Sequence, residues 1–334
     1  MNRISTSLSV VSLFLVALLP QASIAQTVES PLDQLDRIIS DTSLDRTGVS
    51  PWHLRLSFSL FNLKGKHQED GTIEEWWVSP GRSRIVIASP SYNSTVPGPS
   101  ESPGHYDREA YLTNQLLTEV VHPVPNFGRL DGWDLRSSQR SVGNVNLSCI
   151  GVSRANLYGG VPQSELCSER DSGIFRVEYG TALLTVTRNN SVRFMDKSLA
   201  LDNAIAYGGQ VAIQGHVDTL EAYDPAQSPV TLTTAPSSAI SLPSAVVAGH
   251  ILTHEQPVYP PGAKMAHIAG TVVLCATISK EGKITFLDVV TSPDQSLSKS
   301  AMDAIRNWTY TPYLLNGEPT KVETTITTNY NFNH

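Results

Sequence analysis

Between Asp224 and Ala248 the chain reads DPAQSPVTLTTAPSSAISLPSAVVA, a run of Ala, Ser, Thr and Pro with almost no charge. Such a segment has too little apolar surface to offset the entropy of ordering it, and its composition is that of a linker. A chain of 334 residues interrupted there divides into two cores, one over 26–223 and a smaller one over 249–334. The composition, with 40% hydrophobic and 16% charged residues and a net charge of -7, leans towards β structure. Lys and Arg are not clustered, which argues against nucleic acid as a partner.

The first residues carry Arg3, an apolar run from Leu8 to Leu19 broken only by Ser9 and Ser12, then Pro20 and the small-residue sequence SIA before Gln26. This has the pattern of a cleavable secretory signal over 1–25. About a dozen apolar residues fall short of the roughly 20 that span a bilayer. The expectation is therefore cleavage after Ala25, the alternative being an uncleaved membrane anchor. In an oxidising compartment Cys149 and Cys167 are expected to form a disulfide, constraining the unfolded chain by about 3 kcal/mol, the alternative being two free thiols. Cys275, inside TVVLCATI, reads as a small buried core residue. The nine His residues are scattered, so no metal or other cofactor is expected.

From Trp52, WHLRLSFSLFNL alternates with period 2, KGKHQEDG supplies a turn and TIEEWWVSP resumes as a strand, which predicts a hairpin. SRIVIASPSYNSTV adds a third strand. REAYLTNQLLTEVV, at 108–121, places Ala110, Leu112, Leu116, Leu117 and Val120 at helical spacing, and His122-Pro123 ends the helix. Further strands are predicted in SVGNVNLSCIGV, IFRVEYG, ALLTVTRNNSVRFM and AIAYGGQVAIQGHVDTLEAY. The fold class is α+β: a strongly curved, half-barrel-like antiparallel sheet crossed by one or more helices, followed by a small module.

In that module AGTVVLCATI and KITFLDVV flank SKEG, where Gly282 can take the positive φ of a tight hairpin. SPDQ at 292–295 has the form of a capping box with Ser292 as N-cap and Pro293 at the first helical position. Leu297, Ala301, Ala304, Ile305 and Trp308 form one helical stripe. The last strand places Val322, Ile326, Tyr330 and Phe332 on one face and Glu323, Thr325, Thr327 and Asn329 on the other. With a short helix after PVYPPGA, the order is αββαβ.

PVYPPGA with Tyr259-Pro260, GTVVL, ISKEGKI, VVTS, LSKSAMDAIRNWTYTP and NGEP before the last strand together resemble the C-terminal domain of TonB energy-transducer proteins, over residues 249–333. The resemblance implies a periplasmic module that binds an extended peptide of an envelope protein such as an outer-membrane TonB-dependent transporter. The physical route is strand addition to an exposed edge, with Tyr259, Pro260, Val322, Thr324, Thr325, Ile326, Thr327 and Asn329 as candidate contacts. The alternative is an edge already covered, by the N-terminal domain or by a second copy in a homodimer. Transducers of that family keep an uncleaved membrane helix bearing a His and a long charged spacer. This leader has no His and reads as cleaved, and the linker is short and neutral, which puts energy transduction in doubt.

Over 50–222, WHLRLSFSLFNLKGK, EEWWVSP and the late strand pair resemble periplasmic lipoprotein carriers of the LolA type. That resemblance implies a lipid or other apolar ligand beside Phe61, Trp76, Trp77 and Leu116, the alternative being that these are ordinary core. No nucleophile with a base, paired catalytic carboxylates or metal-ligand cluster stands out. The chain is expected to be an interaction or carrier protein rather than an enzyme.

Overall fold

The computed structural model describes residues 29–96, 107–124, 133–142, 145–154, 164–168, 175–179, 184–226, 239–241, 250–315 and 318–331. The predicted leader, most of the linker and Phe332 lie outside the described residues.

After helix α1 (Pro31–Thr42), strands β1 (Trp52–Phe61), β2 (His67–Ser79), β3 (Arg82–Ala88) and β4 (Asn93–Val96) wind outward. Helix α2 (Arg108–Val121) then leads to the far edge. From there β5 (Trp133–Val142), β6 (Val145–Arg154), β7 (Ser164–Ser168), β8 (Phe175–Tyr179), β9 (Leu184–Phe194), β10 (Lys197–Tyr207) and β11 (Gln210–Ala222) wind back to β1. All pair antiparallel, in the order β4-β3-β2-β1-β11-β10-β9-β8-β7-β6-β5, so the sheet is open rather than a closed barrel.

Its alternation follows from side-chain chemistry. Trp52, Leu54, Leu56, Phe58 and Leu60 are buried, while the side chains between them face outward. Phe58 lies between Gly71 and Gly215 in register. A Cβ at Gly71 would sit 2.4 Å from the Phe58 ring, and one at Gly215 would sit 2.7 Å from Leu116. Two missing side chains thus admit an aromatic ring and the helix α2 above it.

Asp107 caps α2, its carboxylate accepting from the Ala110 amide at 2.9 Å. At the other end the buried pair Glu119–Arg188 joins α2 to β9, and Arg188 Nε donates to Glu119 O at 3.1 Å. Helix α1 packs on β10, β5 and β6. The sequence reading lacked it, although Ser30 accepts from the Asp33 amide as N-cap and Pro31 stands at the first position. It also lacked β5 and β7. The first hairpin closes earlier than predicted, because the Asn62 side chain accepts from the Lys64 and Lys66 amides and His67–Gly71 is already strand.

In the C-terminal module β13 (Ile251–Thr253) and helix α3 (Pro261–Met265) precede β14 (Gly270–Ile278) and β15 (Ile284–Thr291). Next come helix α4 (Gln295–Ile305), the short β16 (Thr309–Tyr310), β17 (Leu314–Leu315) and β18 (Glu318–Pro319), then β19 (Lys321–Tyr330). Gly282 has φ +78° in the hairpin, as its position requires. The α4 cap is Asp294 rather than Ser292: its carboxylate accepts from the Ser296 amide at 2.8 Å, and Ser292 Oγ instead braces the turn by donating to Asp294 O at 2.7 Å.

Strand β14 is buried on both faces. Val272, Leu274, Ala276 and Ile278 pack with Leu297, Ala301 and Ile305 of α4. Val273 and Cys275, with Val290 of β15, belong to the core of the N-terminal sheet. That is why TVVLCATI is apolar without alternation, a pattern strands take when covered from both sides.

Candidate functional site: the outer edge of β19

The module's main sheet has the order β12-β19-β14-β15, where β12 (Ala239–Ser241) is a piece of the predicted linker. Antiparallel β14 pairs with β19 from Ile278↔Val322 to Gly270↔Tyr330. On the other side β12 runs parallel to β19, with Ala239↔Lys321, Ile240↔Val322 and Ser241↔Glu323. No strand among the described residues pairs with that side between Thr325 and Tyr330. Of the two expectations, an exposed edge or one already covered, the structure gives each over part of the strand: Lys321–Glu323 are paired, by the linker rather than by the N-terminal domain or a second copy. The composition of the linker gave no warning, because backbone pairing needs no hydrophobic side chains.

The β15 margin is differently finished. Arg108, at the first position of α2, sends Nε to Val290 O at 3.0 Å and Nη2 to Phe61 O at 2.8 Å. Its backbone amide donates to Asp288 Oδ2 at 3.0 Å. A carbonyl of β15 is therefore satisfied by a buried guanidinium that also ties the two sheets together. Burial pulls the Arg108 guanidinium below its usual value, and an arginine still stays charged there.

The predicted contact residues separate into two groups. Val322, Thr324 and Ile326 are 2%, 4% and 7% exposed, and Val322 and Ile326 face α4, so their side chains serve the module's own core. Thr325 and Thr327 are partly exposed and Asn329 is exposed, with Asn329 Oδ1 accepting from Thr271 Oγ1 at 2.6 Å. Tyr259 reaches the other end of β19: its ring meets Tyr330 edge-on, centroids 5.4 Å apart, and its hydroxyl donates to Ile268 O at 2.6 Å. Pro260 precedes α3 as its N-cap residue. This dipeptide packs the module's entry segment, leaving the backbone of β19 as the element that can engage a partner.

Phe61, Trp76, Trp77 and Leu116 do not converge. Trp77 stacks on Trp52 inside the sheet, centroids 5.7 Å apart, and Leu116 is fully buried beneath α2. Trp76 lies on the opposite face, stacked on His53 at 4.9 Å. Phe61 stands at the domain junction, edge-on to His67. On the outer face a cleft of about 530 Å³ is lined by Ser57, Ser59, Asp70, Asp202, Gln214 and His216, a polar surface in which the carboxylates already hold Ser and His partners.

Cys149 and Cys167 stand opposite one another on β6 and β7 and form the expected disulfide. Glu165 lies beside them, but sulfurs bonded to each other are not thiolate ligands. Burial pushes the Cys275 thiol up, with repulsion from Asp288 adding to the effect, which makes it an inert core group.

Against this geometry the comparisons with known proteins fall into place by region. Residues 255–332 match the family model of the Gram-negative bacterial TonB protein C-terminal. Two curated sequences, both Protein TonB from strains of Xanthomonas campestris pv. campestris, are 31% identical over 78 residues. The match takes in 23% of this chain and 35% of theirs, so the chain spans about a third of the length of those relatives. Among solved structures, a DUF1329 family protein from Desulfovibrio piger is similar at 11% identity and a TM-score of 0.35, over 59% of this chain and 92% of that one. A LolA superfamily protein from Nitrosomonas europaea is similar at 6% identity and a TM-score of 0.30, over 57% and 93%. Both are distant likenesses. No helix of the described residues is long and apolar enough to cross a membrane.

Proposed function

We propose that the protein is a non-catalytic element of the bacterial envelope whose TonB-like module docks an extended segment of a partner protein. The partner's segment adds as a strand to the outer side of β19. The observation that carries the reading is the stretch of β19, Thr325–Tyr330, whose outer side no described strand pairs. At the β15 margin Arg108 of α2 takes up one carbonyl, Val290 O, while beside β19 the described strands end at Glu323 and leave Thr325–Tyr330 as the side where a strand can be added. In such pairing the main chain supplies affinity and alternate side chains supply selectivity. The partly exposed Thr325 and the exposed Asn329 offer a hydroxyl and an amide to the incoming segment, whereas the Thr327 hydroxyl is buried. The match over 255–332 favours an outer-membrane transporter as the source of that segment.

The test titrates the whole chain, without its leader, against labelled decapeptides from the periplasm-facing ends of outer-membrane transporters. Each peptide is used unmodified and N-methylated at alternate residues. Strand addition predicts binding that N-methylation abolishes; binding that survives it would show that side chains alone are recognised and would sink the proposal.

A further inference from the structure

We infer that the linker strand β12 is an intramolecular strap, occupying the first part of the edge to which a partner segment adds and leaving when that segment arrives. The inference rests on the docking reading just given and concerns how that site is regulated.

Three observations carry it. First, β12 pairs with β19 in parallel, and it does so at Lys321–Glu323, where β19 begins. A foreign strand pairing along the full length of β19 would need the backbone groups that β12 now holds. Second, the strap is short by construction. Pro236 and Pro243 bracket Ala239–Ser241 in the sequence, and neither has an N–H to give to a ladder. A longer incoming strand can therefore outcompete it for the same edge. Third, the strap belongs to the segment joining the two cores. Its attachment on both sides holds it close to β19 at an effective concentration set by chain length, with no dependence on protein concentration.

The strap also answers a hazard. An open strand edge in an exported protein is a template for unwanted pairing. Covering its first residues with a segment of the same chain lowers the apparent affinity for any strand that must pair with Lys321–Glu323, by the fraction of molecules in which those residues are open. Among segments that reach Lys321–Glu323, weak ones are rejected and strongly complementary ones are retained.

The test uses the full chain without its leader, in three forms: wild type, Ile240→Pro, and a form with Ala239–Ser241 replaced by Gly-Ser-Gly. The second variant guards against a local effect of proline, and unchanged thermal melting of all three shows that both cores are intact. Hydrogen exchange reads the strap directly: the amides of Lys321–Glu323 not engaged by β14 should exchange about tenfold faster in both variants. Equal exchange in all three forms overturns the inference. Protection that falls on dilution places the strand in trans from a second copy and overturns it as well.

Peptide titration reads the consequence. Decapeptides that bind wild type should bind both variants about tenfold more tightly, as expected if the edge is open in about a tenth of wild-type molecules. Faster exchange without that gain means a partner uses only Thr325–Tyr330, and the gating role falls. If no peptide binds any form while exchange still differs, the docking proposal fails and the strap itself stands.

Discussion

Glu75 gives the sharpest quantitative test of the N-terminal sheet. It sits on the inward face of β2, 5% exposed, in register with Leu54 on β1 and Ile85 on β3. Burial pushes its carboxyl up to about 8 from the ordinary 4.5, and the charge on Asp45 adds to the push. The folded chain therefore holds a proton that the unfolded chain releases between those two values. Stability should fall with rising pH across that interval, by about 1.4 kcal/mol per pH unit from this group.

Glu75→Gln is neutral in both states and removes the effect. Its advantage over wild type should be small near pH 4.5, reach about 3 kcal/mol at pH 7 and level off above pH 8. Urea unfolding followed by tryptophan fluorescence, with Trp52 and Trp77 stacked in the same sheet, measures this at several pH values. The quantity that matters is the pH dependence of the difference between the two proteins, since all other titrating groups are common to both. A difference that stays constant from pH 5 to pH 8 would show that the carboxyl is ionised inside the fold and would refute the reasoning.

Three further outcomes are expected. Gly282→Ala should destabilise the C-terminal module by at least about 2 kcal/mol, because φ is +78° there and an added Cβ would lie 1.9 Å from Tyr310 O; a urea midpoint unchanged from wild type would contradict this. Arg108→Ala leaves Phe61 O and Val290 O without their donor, a loss of about 3 kcal/mol. Because buried Cys275 lies at the junction of the two cores, its labelling by a thiol reagent should speed up about a hundredfold in that variant, and an unchanged rate would mean the domains do not separate there. Replacing Cys149 and Cys167 by Ser should cost about 3 kcal/mol, measured as a fall in the urea midpoint that reducing agent reproduces in the wild type.

Period-2 alternation made β1 and β2 legible, and the apolar spacing in REAYLTNQLLTEVV marked α2 to its observed ends. What escaped had local signals too weak to compete. Strand β5, WDLRSSQRSV, is largely exposed and polar, so it shows little hydrophobic alternation. Helix α1 carries its cap at Ser30, close enough to the predicted leader to be passed over. The α4 cap moved from Ser292 to Asp294 because both residues can accept from a backbone amide and only the path of the turn chooses between them. At the candidate site β19 and its facing were readable, but the partner of its outer side was not. A three-residue pairing between segments some eighty positions apart leaves no periodic trace.

The double burial of β14 has a practical bearing on any work with this module. Neighbouring residues along one strand report to different neighbourhoods: Leu274 answers to α4, and Cys275 answers to the larger sheet. Cutting the chain in the linker would strip one side of that strand, baring Val273, Cys275 and Val290 to water. A fragment beginning near His250 should then self-associate through a surface that the whole protein never presents, and dimers seen with such a fragment would be products of the excision.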